Sequence, residues 1–233
     1  MDQVVYITGG SKGIGKGIAS YLLQKGYRVA ISSRKREAAE QAAAELGQSD
    51  RILPLQSDVR RLTDEQQAVA TILEKWGKLD VLVANAGVGH FAPIEHMTPE
   101  LWHETIDTNL TGVYHSVKAA VEAIKQAKGY IFTIASLAGT NFMPQGTAYN
   151  ASKFAVVGFT QALMLDLRQY DVRVTTIMPG SVASYFNNHI PSEADSWKIQ
   201  PEDIGELIYD LLQMHPRALP SKIEIRPTKP PVK

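Results

Sequence analysis

Short runs of apolar and β-branched residues alternate with longer amphipathic stretches along almost the whole chain. The short runs predict buried strands, and the stretches between them predict helices with one apolar face. Because a helical crossover brings the next strand back parallel to the last one, this order predicts a doubly wound α/β fold with a mostly parallel seven-stranded sheet and helices on both faces. Strands are predicted at 4–8, 28–32, 52–56, 81–84, 130–135, 173–178 and 223–226, and helices at 14–24, 37–46, 64–76, 100–126, 147–169 and 202–213.

The length and composition of the chain fit one large domain. Its 233 residues can bury a single core, so we predict one domain over 1–233, with a dinucleotide-binding half at about 1–130 and catalytic and substrate elements at about 131–233. The 24 Lys and Arg residues are dispersed and balance 24 Asp and Glu residues, so neither nucleic acid nor a membrane is an expected partner. The chain has no cysteine, no apolar run of membrane-spanning length and no signal-peptide pattern at its start, and we expect a cytoplasmic protein.

A glycine-rich segment, TGGSKGIG, links the first predicted strand to the first predicted helix. Glycines remove the Cβ atoms that would keep a backbone away from a pyrophosphate, and a helix start offers free N–H donors at its positive end. The spacing is G-x-x-x-G-x-G rather than the commoner G-x-G-x-x-G, and a simple tight turn is the alternative. Because the segment follows a first strand, we predict a dinucleotide site that includes Thr8, Gly9, Ser11, Lys12, Gly13, Ile14 and Gly15.

The residues after the second predicted strand indicate which dinucleotide is bound. A site selective for NAD usually carries an acid there, but this chain has Ser32, Ser33, Arg34 and Lys35. Arg34 would bind a 2′-phosphate through two parallel hydrogen bonds, and Lys12 would add a second positive charge. The alternative is that both side chains are solvated on loops. The pattern favours NADP(H) over NAD(H).

Two further turns that follow strands carry candidate nucleotide contacts. Asp58, which is followed by Val59, can accept a hydrogen bond from an adenine amino group, and it is equally ordinary as a turn residue. Asn85, Ala86 and Gly87 offer a side-chain amide and a turn small enough to lie against a ribose. An asparagine that braces the sheet is the alternative, and the two roles are compatible.

A tyrosine, a lysine and a serine are predicted to meet at one place. Tyr149 and Lys153 are four residues apart in a predicted helix, and Ser136 ends the fifth predicted strand. At about 4 Å and an effective dielectric of about 20, the ammonium would contribute roughly 4 kcal/mol, enough to bring the pKa of the phenol toward neutrality. Such a tyrosine is a general acid and base. Two other Tyr-x-x-x-Lys tetrads, which begin at Tyr21 and Tyr114, follow no serine-bearing strand end, and we interpret them as helix-surface pairs.

The order and spacing of these motifs resemble the short-chain dehydrogenase/reductase (SDR) family from the first strand to about residue 184. Asn109, in the predicted helix at 100–126, and Pro179-Gly180, after the sixth strand, complete the pattern. The resemblance implies a Rossmann-like fold and hydride transfer between NADP(H) and a small-molecule carbonyl or secondary alcohol substrate. It implies a catalytic set of Ser136, Tyr149, Lys153 and Asn109, and cofactor contacts by Pro179, Gly180, Val182 and Ser184 as well as by Tyr149 and Lys153.

The resemblance also implies a role for each catalytic residue. Tyr149 would donate a proton to the carbonyl oxygen or remove one from the alcohol, and Ser136 would hydrogen-bond that oxygen. Lys153 would bind the nicotinamide ribose and lower the pKa of the tyrosine, and Asn109 would hold a water that links the lysine to solvent. In the family, the helices on either side of the fifth strand pair between subunits, which implies a homodimer or homotetramer.

The sequence departs from the family pattern in two places. Ser184 stands where threonine is usual, which keeps the hydroxyl and loses a methyl group. The segment 185–200 before the last helix is short, which predicts a small or open cover over the substrate. Tyr185, Phe186 and Trp197 either line that pocket or pack under the loop.

Other features are consistent with ordinary structural roles. The six histidines lack metal-ligand spacing, so no metal site is expected, and His90 either reaches the substrate or is an exposed loop residue. A cofactor-binding regulator or sensor without turnover is an alternative function, and a non-redox lyase or isomerase is another; the presence of Ser136, Tyr149 and Lys153 favours an oxidoreductase. Small and apolar residues in the helix at 147–169 predict packing on the sheet: Ala151, Phe154, Ala155, Gly158, Phe159 and Ala162.

Overall fold

The computed structural model describes residues 3–47 and 50–229. Within these residues, seven strands form one sheet in the order β3-β2-β1-β4-β5-β6-β7, and each neighbouring pair is parallel. The predicted doubly wound α/β fold is therefore confirmed. The strands are β1 (Val4–Ile7), β2 (Arg28–Ser33), β3 (Ile52–Gln56), β4 (Val81–Ala84), β5 (Tyr130–Ile134), β6 (Arg173–Pro179) and β7 (Lys222–Ile225). The α-helices are α1 (Gly13–Gln24), α2 (Arg36–Leu46), α3 (Leu62–Trp76), α4 (Pro99–Ile106), α5 (Gly112–Ala127), α6 (Thr147–Leu167) and α7 (Pro201–Gln213).

Helices cover both faces of the sheet because successive strand residues point to opposite sides. In β1, Val5 and Ile7 belong to a core cluster that includes apolar residues of α1, α2 and α7. Val4 and Tyr6 belong to a second cluster, on the other face, with residues of α3, α5 and the end of α6. Burial of one large apolar side chain contributes about 1.5–3 kcal/mol, so both clusters stabilise the fold.

The strand order creates a crevice beside β1. The chain moves outward from β1 to β3 and then returns to pair β4 on the other side of β1. The loops after β1 and β4 consequently leave in opposite directions, and ligands bind at this point in parallel α/β sheets.

The helix predicted at 100–126 is interrupted. The Thr98 hydroxyl caps α4 by accepting a hydrogen bond from the Leu101 N–H at 3.4 Å, and a π-helical turn (Asp107–Thr111) joins α4 to α5. Asn109 is fully buried in this turn. Such wider turns occur mostly at functional sites, and this one directs the Asn109 amide toward the loop after β4. The other predicted boundaries differ from the observed ones by one or two residues at most.

One face of α6 is exposed rather than packed on the sheet. Of the six residues predicted to pack on the sheet, Ala155 and Phe159 are partly buried. The other four are exposed, so the prediction is wrong for Ala151, Phe154, Gly158 and Ala162. The sheet is instead contacted by the side of the helix that carries Val156 and Thr160, both fully buried. The sequence pattern could not show which side of α6 faces the sheet, because both sides carry apolar or small residues. The exposed α6 face comprises Ala151, Phe154, Gly158, Ala162 and Leu165.

Residues 185–200, here called the cover segment, are fixed at both ends. Before the segment, Ala183 N–H donates to the Ile199 carbonyl at 2.9 Å, and Val182 and Ile199 form a parallel bridge. After it, Pro201 begins α7 so close to α1 that a Cβ at Gly17 would overlap Pro201. The cover segment therefore leaves and rejoins the body of the protein beside the first helix.

Candidate active site

The loops after β1 and β4 are bonded to each other at the crevice. The Thr8 hydroxyl accepts hydrogen bonds from the N–H groups of Asn85 (3.0 Å) and Ala86 (3.1 Å). In return, the Asn85 amide donates to the carbonyls of Thr8 (2.9 Å) and Gly9 (3.2 Å). Asn85 thus braces the sheet, which is the structural role that the sequence left open beside a ligand role.

The glycine-rich turn is shaped by close approaches that only glycine permits. Gly9 has φ +64°, and a Cβ there would lie 2.9 Å from the Ala86 Cα. A Cβ at Gly15 would lie 2.6 Å from the Asn85 amide nitrogen. Glycine at these two positions therefore lets the turn pack closely against the loop after β4.

The start of α1 offers unpaired donors. Lys12 is the N-cap, no side chain caps the helix and no acid lies in its first turn. The first N–H groups of α1 and the positive end of its dipole are therefore available to an anion. Lys12 is exposed, Ser11 is half-buried, and Ile14 packs against the core.

Residues after β6 lie beside this turn. A Cβ at Gly13 would lie 3.3 Å from the Ser184 Cβ, and Ser184 itself is buried. Pro179 is the last residue of β6, and the Gly180 N–H donates to the Ile225 carbonyl at 2.8 Å. Val182 is held by its bridge to Ile199. The predicted cofactor residues on both sides of the turn are thus brought together.

The basic residue that follows β2 lies opposite an acid. Arg34 is 54% exposed, and its Nη1 lies 3.5 Å from Oε1 of Glu104 in α4. The other carboxylate oxygen of Glu104 lies 3.0 Å from Nε2 of His90. His90 is therefore partly buried and bonded to Glu104. Within the described residues, no contact between His90 and the Tyr149 side chain is observed. The role of Glu104 could not be inferred from the sequence because both contacts join distant segments.

Asp58 is already engaged by an arginine. The Arg60 guanidinium donates to both Asp58 carboxylate oxygens, at 2.6 Å from Nη2 and 2.9 Å from Nε. These hydrogen bonds lower the pKa of the Asp58 carboxyl. Val59 is buried, and its carbonyl pairs with Nδ1 of His115 at 2.9 Å. Arg60 was missed by the sequence reasoning, although its position two residues after Asp58 was a visible signal.

Asn109 joins the loop after β4 to α6. Its amide oxygen accepts from the Val88 N–H (2.8 Å), and its nitrogen donates to the Val88 carbonyl (2.8 Å) and the Ser152 hydroxyl (3.0 Å). A Cβ at Gly87 would lie 3.2 Å from the same amide oxygen. The Asn109 side chain is therefore occupied in positioning residues 85–89.

Ser136, Tyr149 and Lys153 converge next to this loop. Tyr149 is buried and within hydrogen-bonding reach of Ser136, whose oxygen also accepts from the Ala138 N–H at 3.1 Å. The Lys153 ammonium is buried, donates to the Ile134 carbonyl at 2.9 Å and lies 5.7 Å from the centre of the Tyr149 ring. One hydroxyl, one phenol and one amine thus share the carboxyl end of β5.

The charge environment differs from the prediction made from spacing. Burial raises the pKa of Tyr149 to about 12, and a hydrogen bond from Ser136 opposes this rise. Burial lowers the pKa of Lys153 to about 8. The expectation that Lys153 brings the Tyr149 pKa toward neutrality is therefore wrong for the protein's own groups. Desolvation of the phenol outweighs an ammonium that is bonded to a carbonyl and lies above the ring.

Two phenylalanines adjoin the tyrosine. The ring centres of Phe91, in the loop after β4, and Phe186, in the cover segment, lie 5.3 Å and 5.4 Å from that of Tyr149. Phe186 thus lines the site, whereas Tyr185 is exposed and Trp197 lies against Lys198. Phe91 was missed because nothing in its local sequence indicates the contact.

The part of the chain that the structure describes has neither a metal cluster nor a membrane-spanning helix. No three His, Cys, Asp or Glu side chains there are grouped so that they could hold a metal ion. No helix in the same residues combines the length and apolar character needed to cross a bilayer.

Known proteins share the fold and the sequence pattern of this chain. The family model of the short chain dehydrogenases matches residues 3–195. An uncharacterized oxidoreductase of Staphylococcus saprophyticus is 31% identical over 229 residues, which cover 97% of each chain. An alcohol dehydrogenase from the archaeon Thermococcus sibiricus, solved with 5-hydroxy-NADP, has a TM-score of 0.92 at 29% identity over 100% of both chains. A 3-ketoacyl-(acyl-carrier-protein) reductase from Brucella melitensis, solved with NADH, has a TM-score of 0.88 at 28% identity over 96% of both chains. The protein therefore belongs to the short-chain dehydrogenase family.

Proposed function

We propose that this protein transfers a hydride between NADP(H) and a carbonyl or secondary alcohol substrate, with Tyr149 as the general acid and base. The observation that carries the proposal is the convergence of Ser136, Tyr149 and Lys153 at the carboxyl end of β5, beside the crevice. The resemblance to dehydrogenases solved with nicotinamide nucleotides supports it.

The crevice has the features that a dinucleotide needs. The turn between β1 and α1 is rich in glycine, and the start of α1 presents donors that no side chain satisfies. On this basis we propose that residues 8–15, the turns at 58–59 and 85–87, and residues 179–184 contact the cofactor. A nicotinamide bound there would supply or accept the hydride.

The protein's own groups favour proton donation by Tyr149. Because its pKa is raised to about 12, the phenol is protonated at neutral pH and can give its proton to a carbonyl oxygen. Ser136 would donate a hydrogen bond to the same oxygen. Lys153, with a pKa lowered to about 8, is still mostly charged at neutral pH and would stabilise the phenolate that remains. These groups suit carbonyl reduction near neutral pH.

Asn109 has a positioning role in this proposal. Its amide holds Val88 and Ser152, and so it fixes the loop after β4 against the helix that carries Tyr149. The water-holding role implied by the resemblance stays a prediction.

The preference for NADP(H) is supported by charge. Arg34 directly follows β2, at the position where a side chain would bind a 2′-phosphate, and Lys12 is exposed on the neighbouring turn. Glu104 now lies 3.5 Å from Arg34, and a phosphate would compete with it. We also propose that the whole chain acts as one domain and assembles as a homodimer or homotetramer through the α6 face.

The test of the catalytic proposal is Tyr149→Phe, which removes the proton and keeps the ring. We expect kcat for ketone reduction to fall by about 10²–10⁴, because general acid catalysis is lost. NADPH should still bind, as followed by nucleotide fluorescence, and the melting temperature should change little.

The matched control is Tyr114→Phe, which alters another tyrosine that stands four residues before a lysine, on the exposed side of α5. It should leave kcat unchanged. Equal activity of Tyr149→Phe and the unaltered protein would refute the role of Tyr149. A protein that binds NADPH tightly but reduces no carbonyl compound would instead be a cofactor-binding regulator.

A further inference from the structure

Three aromatic rings meet at the proposed catalytic residue. Phe91 and Phe186 each contact Tyr149, and their own ring centres are 6.1 Å apart. The interplanar angles of 55°, 51° and 77° are tilted or edge-on, as aromatic pairs prefer. Phe91 and Phe186 are called the ring wall below. The wall therefore packs against the ring of Tyr149.

Two separate segments deliver the ring wall. Phe91 lies in the loop after β4, where the neighbouring Ala92 N–H donates to the Gln145 carbonyl at 2.9 Å. Phe186 lies in the cover segment, directly before Asn187, which has φ +54° and turns the backbone sharply. Over residues 3–47 and 50–229, no backbone hydrogen bond joins these two segments to each other. The two segments therefore meet at Tyr149 through their side chains.

The two rings pack on a glycine that leaves room for them. A Cβ at Gly89 would overlap the Phe186 ring and lie 2.9 Å from Cε2 of Phe91. Gly89 has no positive φ that would demand glycine, so the space it leaves serves the rings rather than the backbone.

Several ionisable side chains of the same segments pair with other residues. His90 pairs with Glu104 at 3.0 Å. In the cover segment, Asp195 pairs with Lys198 at 2.5 Å and with His189 at 2.6 Å, which holds the pKa of the Asp195 carboxyl well below its usual range. Elsewhere in the cover segment, the side chains of Tyr185 and Ile190 are exposed.

We propose that the ring wall selects substrates in which the reacting carbonyl or carbinol carbon is attached directly to a flat aromatic ring. This inference rests on the proposed function, because it places the reacting oxygen at Tyr149 and Ser136. A ring on the adjacent carbon then lies within reach of Phe91 and Phe186 and packs as a further member of the group. Each aromatic contact is worth about a 2- to 12-fold gain beyond the buried area.

The test compares two methyl ketones with NADPH, acetophenone and 2-butanone, and follows the cofactor's absorbance. We expect kcat/KM to be at least about tenfold higher for acetophenone, since the ring gains both contacts. Phe91→Leu and Phe186→Leu alter the surroundings of Tyr149 for every substrate, so the readout is the ratio of the two kcat/KM values, acetophenone over 2-butanone, which each variant should lower by about 2- to 12-fold. Gly89→Ala, which pushes Phe186 away without removing it, should resemble Phe186→Leu.

Tyr170→Leu is the control, because it removes a half-exposed aromatic ring just before β6. Tyr170 therefore lies at the amino end of that strand, whereas the site lies at the carboxyl ends. It should leave the preference for acetophenone unchanged. Equal kcat/KM for the two ketones, or a preference that survives Phe186→Leu and Gly89→Ala, would overturn the inference and leave the proposed function intact.

Failure of the proposed function gives a different result. If no ketone or alcohol is turned over with NADPH or NADH, the oxidoreductase proposal is refuted. The ring wall is then tested by saturation-transfer NMR of acetophenone with the NADPH-loaded protein. Binding that Phe186→Leu weakens supports the selection of aromatic rings, and absence of binding overturns it.

Discussion

Arg34 is the residue that we propose to distinguish NADP(H) from NAD(H). We predict that Arg34→Asp raises the Kd for NADPH at least about tenfold, because a charge-assisted hydrogen bond contributes about 1.5–3 kcal/mol and the new carboxylate repels the 2′-phosphate. The Kd for NADH, which lacks that phosphate, should change less than about threefold. Isothermal titration with both nucleotides measures the difference.

Arg36→Asp is the control for this prediction. It makes the same change in charge two residues away, at the exposed start of α2, where Arg36 pairs weakly with Glu40 at 3.9 Å. It should affect both nucleotides slightly and equally. If Arg34→Asp raised the Kd for NADPH and the Kd for NADH equally, Arg34 would not bind the 2′-phosphate.

At the scale of single residues, the spacing of residues in the sequence predicted where side chains lie, but not what surrounds them. Tyr149 and Lys153 lie on the same side of α6, because four residues in a helix fix their relation, and the Lys153 Nζ is 5.7 Å from the centre of the Tyr149 ring. The direction of the Tyr149 pKa was predicted wrongly, because burial by Phe91 and Phe186 depends on segments far away in the chain. Glu104 was missed for the same reason, whereas Arg60 lies only two residues after Asp58 and its contact with Asp58 is local.

At the scale of elements, α3 carries an acid into the core. Glu65 is fully buried, and one carboxylate oxygen accepts hydrogen bonds from Tyr6 (2.9 Å) and Ser57 (2.5 Å). Its other oxygen, Oε2, has no hydrogen-bond partner. Burial raises the pKa of the Glu65 carboxyl. The buried environment therefore favours the neutral, protonated form of Glu65 more than water does.

This arrangement predicts a loss of stability as pH rises. Between the ordinary and the raised pKa of Glu65, the folded protein binds more protons than the unfolded chain, so the free energy of unfolding falls with increasing pH. Glu65→Gln removes the titration and keeps the shape. From pH 5 to pH 8, its free energy of unfolding should fall less than that of the unaltered protein, by on the order of 1 kcal/mol.

Urea unfolding at the two pH values measures this effect. Glu74→Gln, an exposed site on the same helix, is the control and should follow the unaltered protein. A parallel pH dependence for Glu65→Gln and the unaltered protein would show that the buried carboxyl does not titrate in this range.

Most elements were predictable because their periodicity is local. The strands and most helices lie where the apolar pattern placed them, and Gly47 ends α2 with a positive φ of 66°, as glycine does. The π-helical turn at Asp107–Thr111 was not predictable, because nothing local demands it. It accompanies the bonds of Asn109 to Val88 and Ser152, which are 21 and 43 residues away.

At the scale of the whole molecule, the α6 face is an exposed apolar surface, on which the Phe154 ring stacks with that of Phe142 at 5.2 Å between ring centres. Phe154 and Leu165 are eleven residues apart, three helical turns, and Gly158 between them has open space around it. Small and apolar residues in such a row suit close packing of a helix on its own copy.

We predict that the protein sediments as a dimer or tetramer at micromolar concentration. Phe154→Asp with Leu165→Glu should shift it toward the monomer, because charges would be buried without partners. Ile94→Asp, at a more exposed apolar residue away from α6, is the control. A monomeric unaltered protein in analytical ultracentrifugation would contradict the assembly.

The attachment of the cover segment bears on how such a protein diversifies. Both of its ends are held next to α1, by the bridge of Val182 to Ile199 and by the contact of Pro201 with Gly17. The stretch between these anchors can lengthen, shorten or change its side chains while the dinucleotide crevice keeps its shape. Selection for a new substrate can therefore act on this stretch alone, and the machinery that handles the nucleotide is inherited unchanged.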